Sequence, residues 1–245
     1  EAGAYTLTDT IAVAPGLTAS LRTGAILEGG VFDLQGDAQL LSAGTGAGPT
    51  LRNVTINGGA LVSTNNDLTI GQSLTLNGFD LIDIQLEGDT QFLGAGVFDF
   101  AGPQSERLRG ASGAVLTVGP DFEVRGGMTF LNNNLDLVNE GVVRATDAQP
   151  IVMDPASLIV NDGAIVAEGS AGIDFQGGTI DNTNGEIQIL EGSVFDLLQN
   201  TRIEGGTILG TGTGVLRIFS TSGGQTVLQN VTLNTDVSQP TNGDA

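Results

Sequence analysis

Carboxylates are the commonest residues in this chain that could do chemistry, and they are densest in FDLIDIQLEGD, which contains Asp80, Asp83, Glu87 and Asp89. Clustered carboxylates are the oxygen ligands that Ca²⁺ prefers. Asp80 and Asp83 are three residues apart, however, so on a regular strand their side chains face opposite sides. A calcium site built from oxygen needs about 6–8 ligands, and neither a repeated Asp-Gly pattern nor the GGxGxDxUx nonapeptide supplies them. We therefore expect solvated acidic side chains here and predict no metal site.

Paired carboxylates could also act as the acid and base of a glycosidase, and Glu186 with Glu191 is one such pair. A chain with 28 acidic residues contains many such spacings by chance. The absence of cysteine excludes disulfides and thiol chemistry. We predict no catalytic residue, no cofactor and no enzymatic activity.

Asparagines at Asn53, Asn57, Asn230 and Asn234 could contact glycans, but a structural role is favoured. Asparagine tolerates left-handed turn geometry, and its amide can bond to the next layer of a stacked structure. Asn53 and Asn230 also begin Asn-Val-Thr sequences that match the N-glycosylation pattern. We interpret that match as a coincidence of turn chemistry.

The charge is strongly negative: 8 arginines and no lysine stand against 28 acidic residues, for a net charge of −20. Such a chain is repelled by nucleic-acid phosphates and anionic membranes, and it attracts divalent cations. Arg107 and Arg109 could bind an acidic sugar or protein, but we expect them to offset local negative charge. No apolar run approaches the roughly 18 residues of a membrane span, so we predict no membrane insertion.

The elements that must position these residues are short strands between turns. Residues 27–57 and 203–234 are two copies of one pattern, each opening with Glu-Gly-Gly and closing with Asn-Val-Thr-aliphatic-Asn. In the rest of the chain, apolar and polar residues alternate in stretches of three to six residues bounded by Gly, Asn or Asp. No stretch has helical periodicity. Further Gly-Gly pairs at 58–59, 126–127, 177–178 and 223–224 suggest turns that recur in register. Because aromatic residues are only 4% of the chain, we expect a core of Leu, Ile and Val.

These features predict an all-β chain folded as a right-handed parallel β-helix of about ten or eleven coils, with about 20–25 residues per coil. We predict a single domain over residues 1–237 and a polar tail over 238–245. Residues 101–113 and 146–155 interrupt the pattern of short alternating stretches, so we expect them to form loops that project from the rod-shaped solenoid.

The motifs LRNVTING, LVNEGVVRA and GGTIDNTNGEIQI resemble the parallel β-helix (pectin-lyase-like) regions of large bacterial surface proteins. These are the autotransporter-like and filamentous-haemagglutinin-like adhesins, in which a rod presents loops or holds a distal domain away from the cell. The matched motifs contain no catalytic residue. The same fold also occurs in polysaccharide hydrolases whose active sites use Asp with His and Lys or Arg. The lack of His and Lys in this chain excludes that hydrolase mechanism. Calcium-dependent lyases of the fold use carboxylates and Arg, and those residue types occur here.

The resemblance implies an extracellular structural or adhesive rod, at the cell surface or secreted. Its expected partners are neighbouring coils or subunits of the same surface protein, and host or matrix glycans. The alternative is a carbohydrate-binding protein or calcium-dependent lyase with its groove near residues 101–113. Carboxylates and arginines that converge on one face in adjacent coils would favour the alternative.

Overall fold

The alternating stretches form short strands in the computed structural model, which describes residues 4–43, 49–64, 69–70, 73–77, 83–86, 89–92, 95–100, 106–198, 200–219 and 224–240. Within these residues there are 33 strands, of two to five residues each. No helix long and apolar enough to cross a membrane is found in this part of the chain.

The strands follow one another in groups of three, and each group forms one coil. The first five coils contain β1 (Ala4–Thr6), β2 (Thr10–Val13), β3 (Thr18–Arg22), β4 (Ile26–Glu28), β5 (Val31–Leu34), β6 (Gln39–Ala43), β7 (Thr50–Arg52), β8 (Val54–Asn57), β9 (Ala60–Thr64), β10 (Thr69–Ile70), β11 (Ser73–Asn77), β12 (Asp83–Leu86), β13 (Thr90–Phe92), β14 (Gly96–Phe100) and β15 (Glu106–Gly110). The later coils contain β16 (Ala114–Val118), β17 (Phe122–Gly126), β18 (Met128–Leu131), β19 (Leu135–Asn139), β20 (Val142–Ala145), β21 (Ile151–Met153), β22 (Leu158–Asn161), β23 (Ala164–Ala167), β24 (Ile173–Phe175), β25 (Gly178–Asp181), β26 (Glu186–Ile189), β27 (Val194–Leu197), β28 (Thr201–Glu204), β29 (Thr207–Gly210), β30 (Val215–Ile218), β31 (Val227–Gln229), β32 (Thr232–Asn234) and β33 (Asp236–Ser238).

Up to the last coil, each strand pairs in parallel with the strand three places later in the chain, except that β10 and β13 belong to separate sheets. Sheet 1 has eleven strands in the described residues, from β2 to β32, and sheet 2 likewise has eleven, from β3 to β33. The third face consists of a four-stranded sheet, β1-β4-β7-β10, and a seven-stranded sheet from β13 to β31. The predicted class, an all-β parallel solenoid, is confirmed. The boundary between a domain over 1–237 and a tail over 238–245 stays a prediction, and residues 241–245 lie outside the described part.

The core runs along the inside of all three faces. In sheet 1 one inward column has aliphatic side chains stacked in successive coils, at Val124, Val143, Ile165, Ile187 and Ile208. All five are fully buried. Burial of such a side chain contributes about 1.5–3 kcal/mol relative to exposure, so the column stabilises every coil it crosses.

Large rings also occupy this core, so the expectation of a core without them was wrong. Seven of the ten phenylalanines are fully buried, at Phe92, Phe98, Phe100, Phe122, Phe130, Phe175 and Phe195. The Phe92 ring centroid lies 5.1 Å from that of Phe98 and 5.4 Å from that of Phe122. Aromatic residues are few, but among the described ones these seven and Phe32 are buried, whereas Tyr5 is exposed.

The two copies of the sequence repeat occupy equivalent places. In each copy the Gly-Gly pair, 29–30 or 205–206, turns the chain from the third face into sheet 1 with positive φ at both residues. One coil later the same corner is made by a single asparagine, Asn53 (φ 53°) or Asn230 (φ 56°). The repeat therefore encodes two successive versions of one corner.

The remaining glycine pairs do not share a register, contrary to the prediction. Pairs 58–59 and 126–127 lie between sheets 1 and 2, whereas 177–178 lies between sheet 2 and the third face. Gly223 lies outside the described residues. Each coil turns a corner between one face and the next, and a left-handed turn is needed at more than one of these corners. Gly-Gly therefore occurs at different corners.

The two predicted loops are wrong in part, because each contains a strand of sheet 2. Glu106–Gly110 forms β15, in which Leu108 is fully buried between Arg107 and Arg109. Ile151–Met153 forms β21, with both end residues fully buried. In β15 the charged residues on either side of Leu108 dominate the composition and hide the alternation. Residues 101–105 lie outside the described part.

Candidate functional surface

Outward residues of an in-register parallel sheet stack in columns, about 4.8 Å from strand to strand. One column of sheet 2 places Asp174 of β24 beside Asp196 of β27, and Asp196 beside Arg217 of β30. We call these three residues the Asp–Arg column. It meets the criterion set from the sequence, since carboxylates and an arginine converge on one face in adjacent coils.

The Asp196 carboxylate is only 5% exposed, and Arg217 compensates its charge. Arg217 Nε donates to Asp196 Oδ1 at 2.6 Å and its Nη2 donates to Oδ2 at 2.5 Å. A bidentate, charge-assisted pair of this kind repays much of the cost of burying the carboxylate. The guanidinium also lies 5.6 Å from the ring centroid of Phe219, a cation–π contact that holds it in place.

Asp174, the first carboxyl group of the column, is half-buried. Burial and, to a smaller extent, the negative charge of Asp196 raise the pKa of Asp174, Arg217 partly opposes them, and together these effects place the pKa at about 6. Because of this raised pKa, the Asp174 carboxyl group is partly protonated at mildly acidic pH and can then donate a hydrogen bond. The column can thus both donate and accept hydrogen bonds.

A surface depression of about 280 Å³ lies next to this column, lined by Gln176, Gly177, Leu198 and Asn200. Gln176 and Leu198 each come two residues after an Asp of the column, directly after the ends of β24 and β27. The lining combines two amide side chains with one apolar side chain. Its volume is at the low end of the roughly 300–1,000 Å³ of ligand pockets.

A second set of charges lies on sheet 1 and consists of ion pairs between coils. Arg125 Nη2 lies 2.6 Å from Asp99 Oδ2, and this hydrogen bond raises the pKa of Arg125. Arg144 bridges Glu123 and Glu168, each at 2.9 Å. Arg125 and Arg144 form ion pairs with carboxylates of neighbouring coils. This second set of charges therefore stabilises the stacking of the coils.

Other carboxylates bind backbone amides of adjacent coils. Asp136 Oδ1 accepts from the amides of Ser157 and Leu158, both at 2.8 Å. Asp89 Oδ1 accepts from the Val115 amide at 2.9 Å. Part of the acidic excess is therefore structural.

Two carboxyl groups near β21, those of Asp147 and Asp154, also have a raised pKa. Burial raises the pKa of Asp154. Burial raises that of Asp147 as well, and the negative charge of Asp99 adds to the effect. Neither lies in the Asp–Arg column.

The cluster considered for calcium is described only in part. Asp80 and Glu87 lie outside the described residues, as does the side chain of Asp83. The backbone of Asp83 lies in β12, opposite Arg107. Asp89 accepts a hydrogen bond from the backbone amide of Val115, as described above. Among the described residues no group of three or more His, Cys, Asp or Glu side chains is arranged to hold a metal ion.

The pair Glu186 and Glu191 is not brought together. Glu186 begins β26 and accepts a hydrogen bond from Gln188 at 2.7 Å, whereas Glu191 lies in the turn after that strand. Five residues of extended chain separate them by roughly 16 Å, beyond the distances of about 5–9.5 Å in glycosidases. Arg107 and Arg109 are half-buried in β15, have interactions of their own, and do not lie on a projecting loop.

The left-handed geometry predicted for asparagine is confirmed at Asn53 and Asn230, which are exposed. Asn57 and Asn234 instead end strands β8 and β32. Both Asn-Val-Thr sequences therefore lie at the same type of corner, as turn chemistry requires.

An amide ladder does occur, but at residues that the sequence analysis did not name. Asn139 Nδ2 donates to Asn161 Oδ1 at 2.7 Å, and Asn161 Nδ2 donates to Asn182 Oδ1 at 2.6 Å. All three are fully buried. The signal was present as asparagines 22 and 21 residues apart, the same spacing as the coil.

The Asp–Arg column was also missed. Its signal is a repeated triplet of hydrophobic, charged and hydrophobic residues, IDF, FDL and LRI, centred on Asp174, Asp196 and Arg217. The centres are 22 and 21 residues apart, so the triplets share one register.

No family model matches this chain, and no curated protein matches it. Among solved structures, the chain is similar to a TibC-catalysed, hyper-glycosylated fragment of TibA, with a TM-score of 0.38 and 14% identity over 96% of this chain and 99% of that one. A likeness of this degree carries no argument about function.

Proposed function

We propose that this chain is a stiff extracellular rod, at the surface of a bacterium or secreted from it, with a structural and adhesive role and no catalysis. It would act as a spacer, stalk or assembly unit. Its partners would be further coils or subunits of the same surface protein, and host or matrix glycans.

The observation that supports this role is the continuous stacking of coils along sheets 1 and 2. Sheets 1 and 2 each continue through eleven strands, and core columns and the Asn139–Asn161–Asn182 ladder cross the coil boundaries. Ion pairs between outward side chains, such as Arg144 with Glu123 and Glu168, also connect neighbouring coils. Because each coil contacts only its neighbours, stability accumulates along one axis, which suits a spacer.

The location is tested by fractionating source cells and probing them with an antibody raised against this chain. A rod of a surface protein appears in the surface fraction, in a polypeptide much larger than 24.9 kDa. A free band of 24.9 kDa in cytosol would overturn the proposal. Beads coated with the chain and with heat-unfolded chain then test adhesion to host cells and matrix glycans.

The second candidate is carbohydrate binding at the Asp–Arg column, favoured by the depression that adjoins it. The amides of Gln176 and Asn200 and the carboxyl of Asp174 can bond to sugar hydroxyls, while Leu198 offers an apolar contact. A glycan array with wild type and Asp174→Asn is the test, with Asp162→Asn, an exposed carboxylate elsewhere, as the matched control. Binding that both variants retain, or no binding by wild type, removes this candidate.

Lyase activity is tested separately, by incubation with acidic polysaccharides and Ca²⁺ and ultraviolet detection of unsaturated uronate ends. No product is expected. Calcium-dependent product would overturn the non-catalytic part of the proposal.

A further inference from the structure

The depression beside the Asp–Arg column lies at the corner where sheet 2 turns into the third face. Its lining comes from two successive coils and consists of Gln176, Gly177, Leu198 and Asn200. The Gln176 amide donates to the carbonyl of Met153 at 2.8 Å, and the Leu198 amide donates to that of Phe175 at 3.0 Å. These bonds between coils hold the lining in the register of the strands that precede it.

Asp154 occupies the same corner one coil earlier. It directly follows β21, as Gln176 directly follows β24, and the last residues of these two strands, Met153 and Phe175, are paired in register. Asp154 therefore lies about 4.8 Å from Gln176 along the solenoid axis. Its side chain is half-buried and comes between the buried residues Met153 and Pro155.

The carboxyl groups of Asp154 and Asp174 are held where water is partly excluded. Burial raises the pKa of Asp154. Burial is also the largest cause at Asp174, whose pKa is about 6 although Arg217 partly opposes the shift. These shifts record the cost of keeping a carboxylate charged in such surroundings. A cation brought to this corner reduces that cost, whereas a further anion increases it.

Two arginines on the surrounding strands already bind acceptors of the protein itself. Arg217 of β30 donates to both carboxylate oxygens of Asp196. Arg202 of β28 donates to Glu204 and to Gln229. The chain contains no lysine and has a net charge of −20. The electrostatic potential at the depression is therefore negative.

We propose that the depression selects glycans by charge: it binds sugars that carry a protonated amino group, held by Asp154 and Asp174, and it rejects sugars that carry carboxylates. This inference rests on the carbohydrate-binding candidate above and narrows its ligand to amino sugars. A protonated amine donates charge-assisted hydrogen bonds to carboxylates, which are stronger than bonds between neutral groups. The amides of Gln176 and Asn200 remain for hydroxyl groups, and Leu198 contacts the apolar side of the ring.

The test is isothermal titration calorimetry at neutral pH and physiological salt, with oligosaccharides of equal length made of glucosamine, of N-acetylglucosamine or of glucuronate and N-acetylglucosamine. The glucosamine oligomer is expected to bind about tenfold more tightly than its acetylated counterpart, the effect of one added charge-assisted contact. The glucuronate oligomer is expected not to bind. Asp154→Asn and Asp174→Asn should each lose most of the preference for the amine, because each keeps the side-chain shape and removes the charge.

Asp162→Asn is the matched control, since it removes the same charge from an exposed residue at a different corner, between β22 and β23. It is expected to keep the full preference, and circular dichroism checks that all three variants retain the β fold. A preference that Asp154→Asn and Asp174→Asn both keep, or that all three variants lose equally, overturns the inference. The second result would show only a general attraction of cations to an acidic chain.

The three oligosaccharides also separate this inference from the candidate on which it rests. Equal binding of the glucosamine and N-acetylglucosamine oligomers, or tighter binding of the glucuronate oligomer, overturns the charge selection and leaves carbohydrate binding in place. If wild type binds none of the three, the carbohydrate-binding candidate fails, and the inference fails with it.

Discussion

The guanidinium of Arg217 binds both carboxylate oxygens of Asp196, at 2.6 and 2.5 Å, and so ties strand β30 to β27. Asp196 is nearly inaccessible to solvent, whereas the Arg217 side chain is 35% exposed. The carboxylate therefore depends on one partner that approaches it from the surface.

Removal of that partner should destabilise the fold. Breaking a buried pair costs about 3–5 kcal/mol, and because Arg217 is partly exposed we expect about 2 kcal/mol for Arg217→Ala. Urea unfolding followed by circular dichroism measures it. Arg52→Ala is the matched control, since Arg52 and Glu28 are 4.0 Å apart and about 40% exposed, and its cost should stay below about 1 kcal/mol. Equal costs for both variants would contradict the role of burial.

Asp174 should make stability depend on pH. Its pKa in the folded protein, about 6, lies above the ordinary 3.8, so between these values the folded state binds more protons than the unfolded state. Its contribution to stability is complete below pH 3.8 and is lost as pH rises through 6. Asp174→Asn should therefore stabilise the protein at neutral pH, by about 1 kcal/mol after allowance for solvent screening.

The measurement is the free energy of unfolding of wild type and Asp174→Asn across this pH range. The difference between them isolates the one carboxyl group from all others. It should vanish in acid and reach a plateau above the folded-state pKa. A difference that is the same at every pH would refute the assignment.

The buried asparagine ladder should be sensitive at its middle. Asn161→Ala removes the acceptor of Asn139 and the donor to Asn182, and it leaves a cavity. Unsatisfied buried polar groups cost about 1–3 kcal/mol each, so we expect a loss of about 2–4 kcal/mol in urea unfolding. Asn184→Ala, which removes an exposed hydrogen bond to Asp162, should cost less than about 0.5 kcal/mol. A mild effect at Asn161 would mean that water replaces the amide.

Two glycines with similar backbone angles should respond differently to alanine. Gly206 (φ +67°) would place a Cβ 2.0 Å from the carbonyl oxygen of Asn182, whereas Gly177 (φ +75°) has nothing within 4 Å. Gly177→Ala bears only the left-handed strain of about 1–2 kcal/mol. Gly206→Ala must also displace the backbone of the preceding coil at Asn182, so its thermal midpoint should fall clearly further. Similar midpoints would show that the corner can relax.

Several elements were predictable because they depend on local chemistry. Alternation in stretches of three to six residues predicted the short strands, which have two to five residues in the structure. Asparagine's tolerance of left-handed geometry predicted the corners at Asn53 and Asn230, whereas Asn57 and Asn234 end strands. The polar face of β15 hid its single buried Leu108, so the same reasoning failed there.

The sequence by itself determined the parallel solenoid class, because alternation, turn residues and repetition act over a few residues at a time. Only the tertiary structure decided which outward residues meet. The interval between equivalent residues ranges from 26, between Phe98 and Val124, to 19, between Val124 and Val143. With corners of variable length, spacing along the chain does not fix register, and strand pairing had to bring Asp174, Asp196 and Arg217 into one column.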